Sequence, residues 1–421
     1  WIDRGNRIEN IELSNGEKIK LIDYLEITDG NDTIFLDDFT NTVDAKAGDD
    51  TVITGYEADT VSGGSGNDKI FTSTGNDTLV GGEGNDLLYG GLGNDTYKYG
   101  ENDGVDVIHD SGKNNTDSTL FSYENEIHQS GINAGNDTLE FTSANITKDN
   151  IIVKAEGTNL VIGIKEDGVS FLNLQNRITL KNWLDKNHRI EQIKFANGEM
   201  ISPDLLQIPT EENDYLIYGD SDLTIDLLDG NDIAYFGDGN NNINLNDGDN
   251  TITLGSGNNT IISGDGKAII SSGNGKNTIT TGLSADEISL GGGDNRVNSG
   301  AGDDIVNIGA GENIVNSGSG NDIIISKGTA YSQTEEKELN FNIGGTSANY
   351  TIKGKTTNFA KTQTIDAGSG NDIVKTGLDN SNRFSVIGND VISGGSGDDE
   401  LYAGLGNDIY VFSKDNGIDI I

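Results

Sequence analysis

Cysteine is absent from the 421 residues, proline occurs twice, methionine once and tryptophan twice. Without cysteine there are no disulfide staples and no thiolate metal sites, which agrees with a bacterial secreted protein that crosses membranes unfolded. No run of about 18 apolar residues exists, so no membrane-spanning helix is expected. No amino-terminal signal peptide is visible either. Positive charge is scarce: 27 Lys and Arg stand against 69 Asp and Glu, a net charge of −42. That balance excludes nucleic acid as a partner, because phosphate contacts need cationic side chains. A divalent cation would suit it. The competing reading is a solvated acidic surface or a disordered tail. The carboxylates are spaced regularly among Ile, Val and Leu rather than forming a block, which opposes disorder. Low hydrophobicity with high charge still predicts a partly unfolded chain when no metal is bound.

Glycine is abundant, with 59 residues, and it recurs in register with acid. In the first run an acidic or amide residue returns every nine positions: Asp32, Asn41, Asp50, Asp59, Asp68, Asp77, Asp86 and Asp95. Two residues after each comes an apolar one: Ile34, Val43, Val52, Val61, Ile70, Leu79, Leu88 and Tyr97. Counting from the first glycine of Gly63-Gly64-Ser65-Gly66-Asn67-Asp68-Lys69-Ile70-Phe71, the acid is at the sixth position and the aliphatic at the eighth. Helical or heptad spacing does not produce this beat, and a fixed short period means a stacked solenoid.

The beat divides the chain. Residues 1–27 read as the tail of a preceding cap module and 28–112 as the first repeat block. Residues 113–212 form an intervening β-rich cap module, with strand candidates such as Leu160–Ile164 and Ile178–Leu180, one short helix at Lys181–Lys186, and Pro203 and Pro209 marking a linker. Residues 213–326 are a degenerate second block and 327–362 an insert. Residues 363–421 are a third block plus the start of a following cap, with one degenerate copy marked by Ser381 and Arg383. The stretch from Trp1 to Ile11 repeats at Trp183 to Ile193, and Asn407–Tyr410 repeats Asn94–Tyr97. Both ends therefore fall mid-module, and the chain is expected to be a piece of something longer.

In each repeat, glycines permit positive φ and let carbonyls turn inward. A hard cation such as Ca²⁺ takes six to eight oxygens, more than one turn supplies but within reach of two stacked turns. With these features the chain resembles the RTX family of bacterial secreted proteins. The resemblance implies an all-β fold: parallel β-roll blocks, two nonapeptides per coil, calcium between successive turns, separated by a β-rich capping module. It is strongest at Gly63–Lys98 and Gly394–Val411. The metal ligands it implies are Asp32, Asp50, Asp59, Asp68, Asp77, Asp86, Asp95, Asp232, Asp304, Asp322, Asp372, Asp390, Asp399 and Asp408. The rival reading makes these residues turn formers only.

A two-sided coil places alternate sixth positions on opposite sides. In the second block one side carries Asp214, Asp232, Asn250, Ala268, Asp286, Asp304 and Asp322. The other carries Leu223, Asn241, Asn259, Asn277, Asn295 and Asn313, with no acid at all. Neutral amides lower cation affinity, and stacked amides can instead form ladders. Lys267 and Lys276, just before Ala268 and Asn277, would repel a dication. The Asn side is thus expected to bind little or no calcium.

Other chemistry finds no support. Gly354-Lys355-Thr356 lacks the first glycine of a phosphate loop, and no Gly-x-Ser-x-Gly elbow occurs. His109, His128 and His188 share no ligand spacing and are assigned to the surface. Trp183 and Trp1 are read as core anchors. No enzyme activity is expected within these residues. The expected function is a calcium-binding, secreted segment that folds on extracellular calcium and so drives or completes type I secretion. Its implied partners are calcium, the type I secretion machinery, and a host or bacterial cell surface. The parent is read as a cytotoxin; the alternatives are an adhesin or surface-layer spacer and the secretion module of an enzyme.

Overall fold

The computed structural model describes residues 11–15, 18–19, 25–36, 38–110, 135–327, 331–333, 336–343, 346–353, 357–359, 363–378, 382, 384, 387–413 and 416–421. Trp1, most of the tail at 1–27, His128, Gly354–Thr356, Ser381 and Arg383 lie outside the described residues. The chain divides into two units, residues 1–208 with 215–219, and residues 209–214 with 220–421.

In the first unit the nine-residue beat becomes two parallel sheets. One stacks Thr33–Phe35, Thr51–Ile53, Lys69–Phe71, Leu87–Tyr89 and Val105–Ile108. The other stacks Thr42–Asp44, Thr60–Ser65, Thr78–Glu83 and Thr96–Tyr99. Eighth-position residues meet across the ladder: Ile34 faces Val52, Val52 faces Ile70, and Val61 faces Leu79. Val52, Val61, Ile70 and Leu79 are fully buried between the sheets. A side chain of that kind contributes about 1.5–3 kcal/mol on burial. The turns between strands need glycine where backbones nearly touch. At Gly64, φ is +111°, and a Cβ would collide with the Lys46 carbonyl of the preceding coil.

Sequence reading treats residues 113–212 as a separate module, but their strands lengthen both sheets before closing them. Thr138–Phe141 adds in parallel to Thr96–Tyr99, and Gln192–Lys194 adds to it in turn. Arg177–Leu180 adds in parallel to Val105–Ile108. Antiparallel strands then end the stack: Asn159–Ile164 and Ile151–Glu156 on one sheet, Met200–Ile201 on the other. The nine-residue period is lost because the connections between these strands vary in length, while the ladder register is kept. Trp183 is 1% exposed, as a core anchor should be. The helix expected at Lys181–Lys186 is a turn followed by a single 3₁₀ turn, Lys186–His188. His188 is only 4% exposed and stacks on His109, so surface placement is wrong for it. Pro203 is itself buried and opens a 3₁₀ turn, Pro203–Leu206, rather than a loose linker.

The second unit repeats the architecture. Ala234, Ile252, Ile270, Ile288, Val306 and Ile324 align in one sheet; Ile225, Ile243, Ile261, Ile279, Val297 and Val315 align in the other. The stack then passes over the insert without a gap: Val315 pairs with Ile365 and Ile324 with Val374. The insert itself holds an antiparallel hairpin, Glu336–Ile343 with Thr346–Lys353. The next step skips one nonapeptide, so Ile365 pairs with Ile392 and Val374 with Leu401. Ile387–Gly388 instead joins Thr357–Phe359 in a small side sheet. Among the described residues no helix is long and apolar enough to cross a membrane.

Candidate calcium sites

Sixth-position carboxylates with a coil stacked before them do the same job with one oxygen. Asp50 Oδ1 accepts the Asp32 N–H at 2.6 Å, Asp68 accepts from Asp50 at 2.8 Å, and Asp86 from Asp68 at 2.8 Å. On the other side Asp77 accepts from Asp59 at 2.7 Å and Asp95 from Asp77 at 2.8 Å. The ladder outruns the nine-residue beat. Asp106 accepts from Asp86, Asp137 from Asp95, and Glu191 from the Asp137 N–H. These three were missed in the sequence because they lie 20, 42 and 54 residues from their partners rather than 18.

In the second unit one ladder links Asp232, Asn250, Asp286, Asp304, Asp322, Asp372 and Asp399, interrupted only at Ala268, where Asn250 N–H turns to the Lys267 carbonyl. The skipped nonapeptide transfers Asp390 and Asp408 to the opposite ladder, below Gln363. Gln363 was not singled out in the sequence, since 50 residues separate it from Asn313.

The second oxygen distinguishes the sites. Oδ2 of Asp50, Asp68, Asp77, Asp86, Asp95, Asp232, Asp286, Asp304, Asp322, Asp372 and Asp399 is buried with no hydrogen-bond donor. An orphaned buried charge of this kind is costly and calls for a cation. Elsewhere a neighbour answers it. Thr28 N–H donates to Asp32 Oδ2 at 2.7 Å, and the Thr376 hydroxyl to Asp390 Oδ2 at 2.6 Å. The first-position hydroxyls of Thr72, Ser299 and Ser317 donate instead to backbone carbonyls of the next coil, so Oδ2 of Asp77, Asp304 and Asp322 stays without a donor.

The first position of the nonapeptide decides whether there is room for an ion. At Gly63, Gly81 and Gly394 an added Cβ would collide with Oδ2 of Asp68, Asp86 and Asp399 respectively, whereas at Gly90 the Tyr97 hydroxyl already stands beside Asp95 Oδ2 at that point. At Gly63 the Gly81 carbonyl oxygen lies 2.7 Å from the same point. An orphaned carboxylate oxygen and a carbonyl oxygen thus share a space that any side chain would fill, which suits a hard, oxygen-seeking cation. Burial raises Asp68 to about 6 and Asp86 and Asp95 to about 7, against repulsion-free water values near 4.

The asparagine side is built the other way. Its first positions are Phe236, Leu254, Ser272, Leu290 and Ile308, all buried. The amide nitrogens of Asn241, Asn259, Asn277 and Asn295 donate to the next Asn Oδ1 at 3.0–3.1 Å. The same nitrogens reach the carbonyls of Gly239, Gly257, Gly275 and Gly293 at 3.0–3.3 Å. Lys267 is held at the surface by Glu287, at 2.7 Å.

The family model described as the RTX calcium-binding nonapeptide repeat matches residues 27–97, 235–306, 309–326, 364–381 and 386–418, half of the chain. The chain belongs to the RTX calcium-binding repeat family. A second model, the haemolysin-type calcium binding protein related domain, matches residues 159–204, within the segment that closes the first RTX stack. RTX nonapeptides are calcium-binding, and the glycine cradles at Asp68, Asp86 and Asp399 fit that ion. No curated protein matches the chain. Among solved structures it is similar to the extracellular lipase LipA from Serratia marcescens at 13% identity, with a TM-score of 0.19. The match covers 71% of this chain and 37% of the lipase. The chain thus spans little more than a third of that protein.

Proposed function

We propose that these residues are the calcium-folded region of a larger exported protein, held loose inside the cell and folded outside it. The observation that carries this reading is the pairing of an orphaned Oδ2 with a first-position glycine at Asp68, Asp86, Asp95 and Asp399. Bound calcium supplies the positive charge and oxygen coordination that these carboxylates lack. Without it, stacked Asp50, Asp68 and Asp86 repel one another through a ladder only one coil apart, and the coil is disfavoured. With it, binding free energy becomes folding free energy. Extracellular-type sites with dissociation constants of roughly 10⁻⁴–10⁻³ M suffice. Folding on the far side of the membrane would hinder backsliding through a type I exporter.

The remaining acidic candidates, Asp32, Asp50, Asp59, Asp77, Asp232, Asp304, Asp322, Asp372, Asp390 and Asp408, we place as weaker ligands or as ladder acceptors. The asparagine ladder supports a metal-independent middle section, stiff without calcium. A cytotoxin is the parent we favour, on the haemolysin-type association of residues 159–204. A stiff adhesin or surface-layer spacer is the second reading, favoured by the self-satisfied ladder from Asn241 to Asn313. In an RTX enzyme, the activity would reside in other segments. Circular dichroism during calcium titration tests the core of this, on the wild type and on Asp68→Ala with Asp86→Ala. Calcium should raise β content and thermal stability in the wild type and far less in the double variant. Full β content without calcium, unchanged on its addition, would refute it.

A further inference from the structure

Asp110 does not belong to the nine-residue acidic series, yet it is 1% exposed. It follows the strand Val105–Ile108, in which Ile108 pairs with Leu88. Two residues further along each strand, Asp110 stands at the coil step that Gly90 occupies one turn earlier. The first position of the nonapeptide, held by glycine at Gly63, Gly81 and Gly90, here carries a carboxylate.

Its neighbours are Asp95 and Asp137, 1% and 0% exposed. One oxygen from each of the three lies within 4.8 Å of the other two. Each carboxylate spends one oxygen on the fold. Asp95 Oδ1 accepts the Asp77 N–H at 2.8 Å, Asp137 Oδ1 accepts the Asp95 N–H at 2.7 Å, and Asp110 Oδ1 accepts the Tyr97 hydroxyl at 2.6 Å. The Gly90 N–H donates in turn to the Tyr97 hydroxyl at 2.8 Å, fixing that ring's oxygen. In all three residues Oδ2 is buried and meets no N–H or hydroxyl donor. Two oxygens on one calcium ion are at most about 5 Å apart, given bonds of about 2.3–2.6 Å. The cluster is within that limit, and the charged groups acting on its three buried carboxylates are other carboxylates, Glu191 among them.

We propose that Asp95, Asp110 and Asp137 hold a divalent cation of the calcium class at a site in which only Asp95 belongs to the nonapeptide series. It rests on the calcium reading above and adds a staple. The ion joins three strands, Thr96–Tyr99, Val105–Ile108 and Thr138–Phe141, where the regular repeat gives way to the closing segment. Tyr97 is the positioning residue, since its hydroxyl holds Asp110 in place.

The test is a crystal of the full chain grown in calcium, read by anomalous scattering, beside ion counting by native mass spectrometry. The expected result is a peak bonded to oxygens of Asp95, Asp110 and Asp137. Asp110→Asn should bind one ion fewer than the wild type and keep the ions at Asp68 and Asp86. Filled repeat sites with no peak at this cluster would overturn the proposal and leave the calcium reading standing. So would an unchanged ion count in Asp110→Asn, with Asp110 and Asp137 sharing a proton instead. A chain that binds no calcium anywhere would remove both readings. The wild-type crystal decides the matter even if Asp110→Asn fails to fold.

Discussion

The side-chain amide of Asn259 donates to Oδ1 of Asn277 at 3.1 Å and lies 3.3 Å from the Gly257 carbonyl. At the corresponding atom of Asp68 or Asp86 there is an oxygen with no donor. Exchanging that one nitrogen for oxygen separates a ladder that is complete without metal from one that requires it.

Asn259→Asp should therefore destabilise the second unit by about 1–3 kcal/mol, the cost of turning paired buried groups into unpaired ones. Calcium should not rescue it, because Leu254 fills the first position where an ion would sit. Thermal melts with and without calcium check this; a calcium-dependent recovery would contradict it.

Gly81→Ala is expected to weaken calcium binding about tenfold or more, since its Cβ collides with Asp86 Oδ2. Gly81 does not need a left-handed φ, so the loss reflects space at the ion and not backbone strain. Calcium titration followed by circular dichroism reads the shift in midpoint.

Asp86→Asn should change sign with calcium. In a chelator the variant melts higher than the wild type, because a buried, poorly solvated carboxylate is gone. In saturating calcium it melts lower, by a few degrees, because a ligand is gone. Equal shifts in both conditions would contradict the assignment of Asp86 to a metal site.

Acid should partly replace calcium. Burial lifts Asp68 to about 6 and Asp86, Asp95, Asp304 and Asp372 to about 7, from an ordinary value of 3.8. The folded state then holds more protons than the unfolded one between those values. In calcium-free buffer this contribution is fully present below about 4 and is lost as pH rises through 6 to 7. Circular dichroism should show more β structure at pH 5 than at pH 8 in a chelator, and the difference should vanish in calcium.

Much of this was legible because the period acts locally. Ile70 at the eighth position and Asp68 at the sixth each announce their place, since 18 residues make one coil wherever loops are constant. The two-sided split of Asp286 and Asn277 followed from that count alone. Legibility stopped where loop length varied. Asp106, Asp137, Glu191 and Gln363 hold the same ladder positions, but their sequence spacings conceal it. The skipped nonapeptide also moved Asp390 onto the ladder below Gln363, which counting by nines does not reveal.

The amino-acid sequence by itself determined the solenoid, its two apolar seams and the acidic or amide character of each stripe, because every one of these repeats at fixed spacing. Which carboxylates keep an open oxygen was decided only in three dimensions. That depends on whether the neighbouring first position carries nothing, as at Gly81, a hydroxyl, as at Thr376, or a filling side chain, as at Leu254. The meeting of Asp95, Asp110 and Asp137 likewise exists only once the strands have stacked, because residues far apart in the chain become neighbours through the ladder.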